Sequence, residues 1–107
     1  MRRGEIVTAV FPGAYGKPRP ALLIQADVFE ALPSATLLPI TSDLRDLPPI
    51  RIDIEPGPES GLRRSSQIMV DKVQTIPRAR LGNRLGSLSE EAVRRVDEAL
   101  GRFLGLR

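Results

Sequence analysis

Along most of the chain the apolar positions either alternate with polar ones or run continuously, and only beyond Ser87 does the spacing become helical. Glu5 to Phe11 is a β-branched-rich stretch closed by Pro12-Gly13, which predicts a strand followed by a mobile loop over Ala14 to Pro18. Arg19 to Gln25 contains the continuous run Ala21-Leu22-Leu23-Ile24, the pattern of a central strand covered on both faces. Asp27 to Ala31 reads as one helical turn with Asp27 as its cap, and Ala35 to Thr41 as a strand whose Pro39 predicts an edge position or a bulge. Ile50, Ile52 and Ile54 alternate with Arg51, Asp53 and Glu55, so one face of that segment meets a core and the other water. Pro56 to Gly61 is a loop by composition, and Gln67 to Ile76 resumes strand character with Ile68, Val70, Val73 and Ile76 as its apolar members. The expectation is a sheet of about five strands.

Ser87-Leu88-Ser89-Glu90 then has the form of a capping box, and Ala92, Val96, Ala99 and Phe103, flanked by Val93 and Leu100, recur at helical spacing. Strands first and an amphipathic helix last, with short turns between, predict a mainly β, α+β fold: a small, strongly curved antiparallel sheet or barrel with a C-terminal helix. With 107 residues and no repeat or linker, residues 1–107 are expected to form one domain.

Composition narrows the chemistry. Hydrophobic residues at 41% and charged residues at 27% are ordinary for a folded chain. No apolar run approaches the roughly 20 residues a membrane helix needs, and no signal-peptide core follows Met1, so a cytoplasmic protein without membrane contact is expected. There is no cysteine, which excludes disulfides, thiolate nucleophiles and the common structural zinc sites. There is no histidine either, so catalysis would use other groups and no metal or other cofactor is expected. The net charge of +3 favours a polyanionic partner, but only weakly. Of 16 basic residues only Lys17 and Lys72 are lysines; guanidinium suits phosphate, although arginine-rich codon usage explains the bias equally well.

The short motifs say more together. Arg3-Gly4-Glu5-Ile6-Val7 is followed, after a loop, by Tyr15-Gly16-Lys17-Pro18-Arg19-Pro20-Ala21-Leu22-Leu23-Ile24. Leu37-Leu38-Pro39-Ile40-Thr41-Ser42, Gly61-Leu62-Arg63-Arg64-Ser65-Ser66 and Val70-Asp71-Lys72-Val73 come next in order, before Arg80-Leu81-Gly82. This series resembles the MazF/PemK family, whose members carry an R-G-[DE]-[IV] strand, an R-P-[AV]-[LV]-[VI] strand, a third strand ending in threonine or serine, a G-L-x-x-x-S element and a V-D-[QK]-[IVL] strand. The resemblance spans nearly the whole chain.

It implies an SH3-like barrel of the PemK/CcdB type and a toxin of a type II toxin–antitoxin system. It further implies a metal-independent endoribonuclease that cuts single-stranded RNA by 2′-hydroxyl attack, leaving a 2′,3′-cyclic phosphate and a 5′-hydroxyl. Arg19 and Thr41 would be the catalytic pair, with Tyr15, Lys17, Arg63, Arg64, Ser66 and Lys72 as RNA contacts. Arg19 suits charge stabilisation better than proton donation, because a group with a pKa above about 12 releases its proton reluctantly at neutral pH. Thr41 can orient the 2′-hydroxyl or relay a proton. Expected partners are RNA, a second copy of the chain in a homodimer, and an antitoxin whose acidic flexible tail covers the RNA groove; DNA would be reached only through that antitoxin.

Taken singly, each residue has a plainer reading. Arg19 between two prolines is a solvated residue flanking a turn, Thr41-Ser42-Asp43 an ordinary strand end with a turn-capping hydroxyl, and Ser65-Ser66 polar loop. Arg63, Arg64, Arg78, Arg80 and Arg84 are by default solvated charge, some of which would line an RNA backbone track. The first loop lacks the Glu-Gln pair common in the family, and either adjacent serine fits the family position; the spacing to Asp71 favours Ser66. Two alternatives compete with the nuclease: a CcdB-like toxin that binds gyrase, and a non-catalytic nucleic-acid-binding barrel.

Overall fold

In the computed structural model, which describes residues 1–13 and 15–106, seven strands precede one helix. They are β1 (Glu5–Ala9), β2 (Arg19–Leu23), β3 (Ser34–Thr41), β4 (Arg51–Ile54), β5 (Ser66–Met69), β6 (Gln74–Pro77), β7 (Leu81–Ser87) and α1 (Glu90–Phe103). All pairings are antiparallel, in the order β4-β5-β3-β2-β1-β7, with β6 alongside the first half of β3. The expected antiparallel sheet with a terminal helix is present. It does not close into a barrel, since β4 and β7 end the order and do not pair with each other among the described residues. No helix among the described residues is long and apolar enough to cross a membrane.

The two additional strands have local causes. Gln67–Ile76 is not one strand, because its apolar spacing slips from two to three between Val70 and Val73, and there a 3₁₀ turn over Val70–Lys72 separates β5 from β6. β7, with Gly82 and Gly86, has no alternation to read; it exists by pairing with β1 across two register shifts. Its glycines are required by close approach. A Cβ on Gly86 would lie 2.3 Å from the Glu59 carbonyl oxygen, and one on Gly61, at φ +73°, would lie 1.9 Å from that of Leu85. The Pro56–Gly61 loop thus lies directly on β7, tied by the Ser87 N–H donating to the Glu59 carbonyl at 2.9 Å.

β3 is central, against the edge position that Pro39 predicts. The Ile24 N–H donates to the Thr36 carbonyl, so in the register Leu22 to Leu38 and Ala21 to Pro39 the even-numbered residues of β3 bond toward β2. The Pro39 nitrogen faces the other way, at the point where the neighbour of β3 changes from β6, last paired at Leu37, to β5, first paired at Ile40. No ladder bond is lost there.

Register sorts the strands into two faces. Ile6, Leu22, Leu38, Ile40, Ile54 and Ile68 form a core with Val70, closed by Val96 of α1. Val7, Ala9, Phe11, Ala21, Leu23, Ala35, Leu37 and Ile76 form a second cluster on the opposite face. The helix is capped by Ser89, whose Oγ accepts from the Ala92 N–H at 3.2 Å, rather than by a box starting at Ser87. Phe103 falls outside the buried stripe and is half exposed. Asp27 is the first residue of its turn, Asp27–Phe29, and does not cap it; its carboxylate accepts from the Arg3 N–H at 2.7 Å and pairs with Arg2 at 2.9 Å.

Candidate active site

Strand pairing brings Arg19 and Thr41 together from opposite ends of their motifs. Ala21 faces Pro39 in the last pair of the β2–β3 ladder, and Arg19 and Thr41 each lie two residues beyond it, at the same end of the ladder. On β1, Ala9 pairs with Arg19, and on β5, Gln67 pairs with Thr41. Directly opposed residues share a face. Ala9, opposite Arg19, and Leu37, four residues before Thr41 on the same face of β3, both belong to the second cluster, so Arg19 and Thr41 lie on the face away from α1.

Arg19 and Thr41 line a groove of about 370 Å³ together with Phe11, Pro39, Ile40, Met69, Lys72 and Gln74. None of these lining side chains is acidic. Phe11 and Pro39 give it an apolar base, while Arg19 is exposed at the start of β2 and Thr41 half-buried at the end of β3. The Thr41 Oγ1 accepts from the Asp43 N–H at 3.0 Å, the turn-capping role its sequence suggests. That bond uses a lone pair and leaves the hydroxyl proton free to donate. Lys72 closes the 3₁₀ turn after β5, and its ammonium donates to Asp71 Oδ2 at 2.8 Å. This hydrogen bond holds the Asp71 carboxyl below its ordinary value of 3.8, although partial burial opposes it. Gln74 was not a candidate in the sequence, where a glutamine in a strand carries no chemical signal; it enters through its pairing with Leu37.

The remaining sequence candidates lie outside this groove. Tyr15 and Lys17 are exposed in the loop that leads into Arg19, Tyr15 with a positive φ of 54°. Arg63 and Arg64 are exposed in the segment leading to β5. Ser66 is buried: it opposes Ile54, so register turns it toward the α1 face, and its hydroxyl donates to the Arg64 carbonyl at 2.9 Å. Ser65 beside it is exposed. Arg78 is a structural brace, donating to the carbonyls of Leu32 and Ser34. Arg84 pairs with Glu5, and Arg80 is exposed.

Residues 2–104 match the family model described as PemK-like, MazF-like toxin of type II toxin-antitoxin system. The chain is 51% identical over 107 residues to a probable endoribonuclease MazF of Mycolicibacterium smegmatis, covering 99% of this chain and 98% of that one. It superposes with a TM-score of 0.84 on the Mycobacterium tuberculosis toxin MazF-mt6, at 29% identity, covering 96% of this chain and 98% of the other. A TM-score of 0.82 relates it to a mycobacterial endoribonuclease solved in complex with its cognate antitoxin; at 20% identity, over 100% and 97% of the two chains, that likeness concerns the fold.

Proposed function

The chain belongs to the PemK-like, MazF-like toxin family of type II toxin–antitoxin systems, and from that premise we propose that it is an endoribonuclease whose active groove is the one lined by Arg19, Thr41 and Lys72. The observation that carries the reading is the convergence of Arg19 and Thr41 on one open groove without an acidic lining residue. A single-stranded RNA laid in it presents a phosphate to the guanidinium, whose fork engages two oxygens and remains charged throughout the accessible pH range. The 2′-oxygen bonds to phosphorus, the bond from phosphorus to the 5′-oxygen breaks, the 2′-hydroxyl proton passes to solvent water and the 5′-oxygen takes a proton from solvent water. Charge builds on the non-bridging oxygens, where Arg19 stabilises it and Lys72 adds a second cation. Thr41, held through Oγ1 by the Asp43 N–H, orients the attacking hydroxyl.

Tyr15, Lys17, Arg63 and Arg64 supply the outer RNA track, Tyr15 being the aromatic side chain in the loop next to Arg19 and fully exposed. Ser66 has no place in this reaction. The chain works in the cytoplasm as a homodimer, supported by its family and by the exposed apolar residues Val28, Phe29 and Leu32. An acidic antitoxin segment competes with RNA for the same cations, and DNA is reached only through it. Incubation of purified protein with single-stranded RNA in EDTA, followed by mapping of 5′-hydroxyl ends, tests the activity and its end chemistry together. Intact RNA, or ends bearing 5′-phosphate, would sink the reading.

A further inference from the structure

The loop after β3 starts at the groove, yet nothing apolar anchors it. Residues 42–49 are all exposed, including Leu44 and Leu47. One buried side chain holds this segment instead. Gln67, 7% exposed, accepts at Oε1 from the Arg45 N–H (3.0 Å) and from Arg51 Nη1 (2.9 Å). Its Nε2 donates to the Arg45 carbonyl (3.1 Å) and to Asp53 Oδ1 (2.9 Å). The amide thereby uses both its donors and both acceptor positions, and grips the N–H and C=O of a single loop residue as a neighbouring strand would.

The grip extends to the groove. Arg51 Nη1, aimed by Gln67, also donates to the Asp43 carbonyl at 3.1 Å, and the Asp43 N–H donates to the Thr41 hydroxyl oxygen. Gln67 and Thr41 are directly opposed on β5 and β3, so both ends of this chain of bonds rest on the same rung of the sheet. Of the other backbone bonds here, Leu47 to Arg45 and Ile50 to Leu47 are local, and the Val70 N–H, donating to the Ile50 carbonyl at 2.9 Å, ties down the far end of the loop; none of them ties Asp43 to the sheet. We infer that Gln67 is a positioning residue: it fixes the loop after β3 and, through Arg51 and Asp43, sets the direction of the Thr41 hydroxyl. The part concerning catalysis rests on the nuclease reading above; the part concerning the loop does not.

Two variants and two readouts test it. Gln67→Met removes the four bonds that its own amide makes, at similar volume, whereas Gln67→Glu keeps the two accepted bonds and sets a carboxylate against Asp53 and the Arg45 carbonyl. Amide hydrogen exchange at Asp43 and Arg45 should rise at least about tenfold in Q67M and less in Q67E, with Ile40 and Ile68 still protected. In RNA cleavage, kcat should fall about tenfold in Q67M, with KM changed by less than about threefold, and Q67E should lie between. A general loss of fold would instead expose Ile40 and Ile68; if Q67M does so, Q67E alone decides by the same two measurements. Unchanged exchange at Asp43 and Arg45 overturns the inference. Lost protection with unchanged kcat overturns the link to Thr41. A wild-type chain that leaves RNA intact removes the nuclease reading and this link with it, while the exchange pattern still decides whether Gln67 holds the loop.

Discussion

Replacing Arg19 by alanine separates the chemistry of the groove from its folding. Arg19 is exposed and makes no ion pair with another described residue, so its removal should change stability by no more than about 0.5 kcal/mol. Its effect on the reaction is larger. A charged donor aimed at developing negative charge contributes about 3–4 kcal/mol in an enclosed site, and a charged hydrogen bond about 1.5–3 kcal/mol in general. Because this groove is open to water, we take about 2–3 kcal/mol, a fall of about 30- to 150-fold in the cleavage step. Arg19→Lys keeps the charge and loses the fork, and should fall by about tenfold. Single-turnover cleavage of a short RNA carrying a fluorophore and a quencher measures the step, and urea unfolding of the same samples measures stability. Cleavage by R19A within about threefold of wild type would refute the assignment. So would a loss of activity that merely tracks a lowered urea midpoint.

Three further outcomes follow from the packing. Gly61→Ala meets the Leu85 carbonyl oxygen at 1.9 Å and strains a left-handed backbone, so it should lose about 2–5 kcal/mol in urea unfolding; a loss below about 1 kcal/mol would mean the loop is not seated on β7. Ser66→Ala should cost about 1 kcal/mol by deleting the buried bond to the Arg64 carbonyl while kcat/KM stays within about twofold, and a large fall in cleavage would return Ser66 to the site. On acidification, Asp71 and Glu5 have lowered pKa values, the first through its hydrogen bond from Lys72 and the second through the Arg2 N–H, then Arg84. The folded chain therefore binds protons at these carboxyls less readily than the unfolded one. The stability they contribute is present above their ordinary values of 3.8 and 4.5 and is lost as pH falls below them. The urea midpoint should accordingly drop as pH falls through and below these ordinary values, with a shallower drop in Asp71→Asn.

The sequence alone determined what depends on neighbours a few residues away. The period of two in Ile50, Ile52 and Ile54, the continuous run at Ala21 to Ile24 and the helical stripe at Ala92 to Val96 each state their element, because the side chains that share a face are set by local geometry. The absence of histidine and cysteine and the ordered motifs around Arg19 and Thr41 were likewise legible. What depends on pairing was not. Pro39 lies in a central strand only because β3 changes partners at that residue, and β7, without a pattern of its own, is a strand because β1 lies beside it. Two adjacent serines look equivalent in the chain, yet the β4–β5 register turns Ser66 toward the helix and into the interior, a choice that a one-residue shift would reverse. Gln67 shows the limit most directly. Its amide gains its role from Arg45, 22 residues before it, and from Arg51 and Asp53 on the next strand, and long-range register alone puts those groups within hydrogen-bond reach.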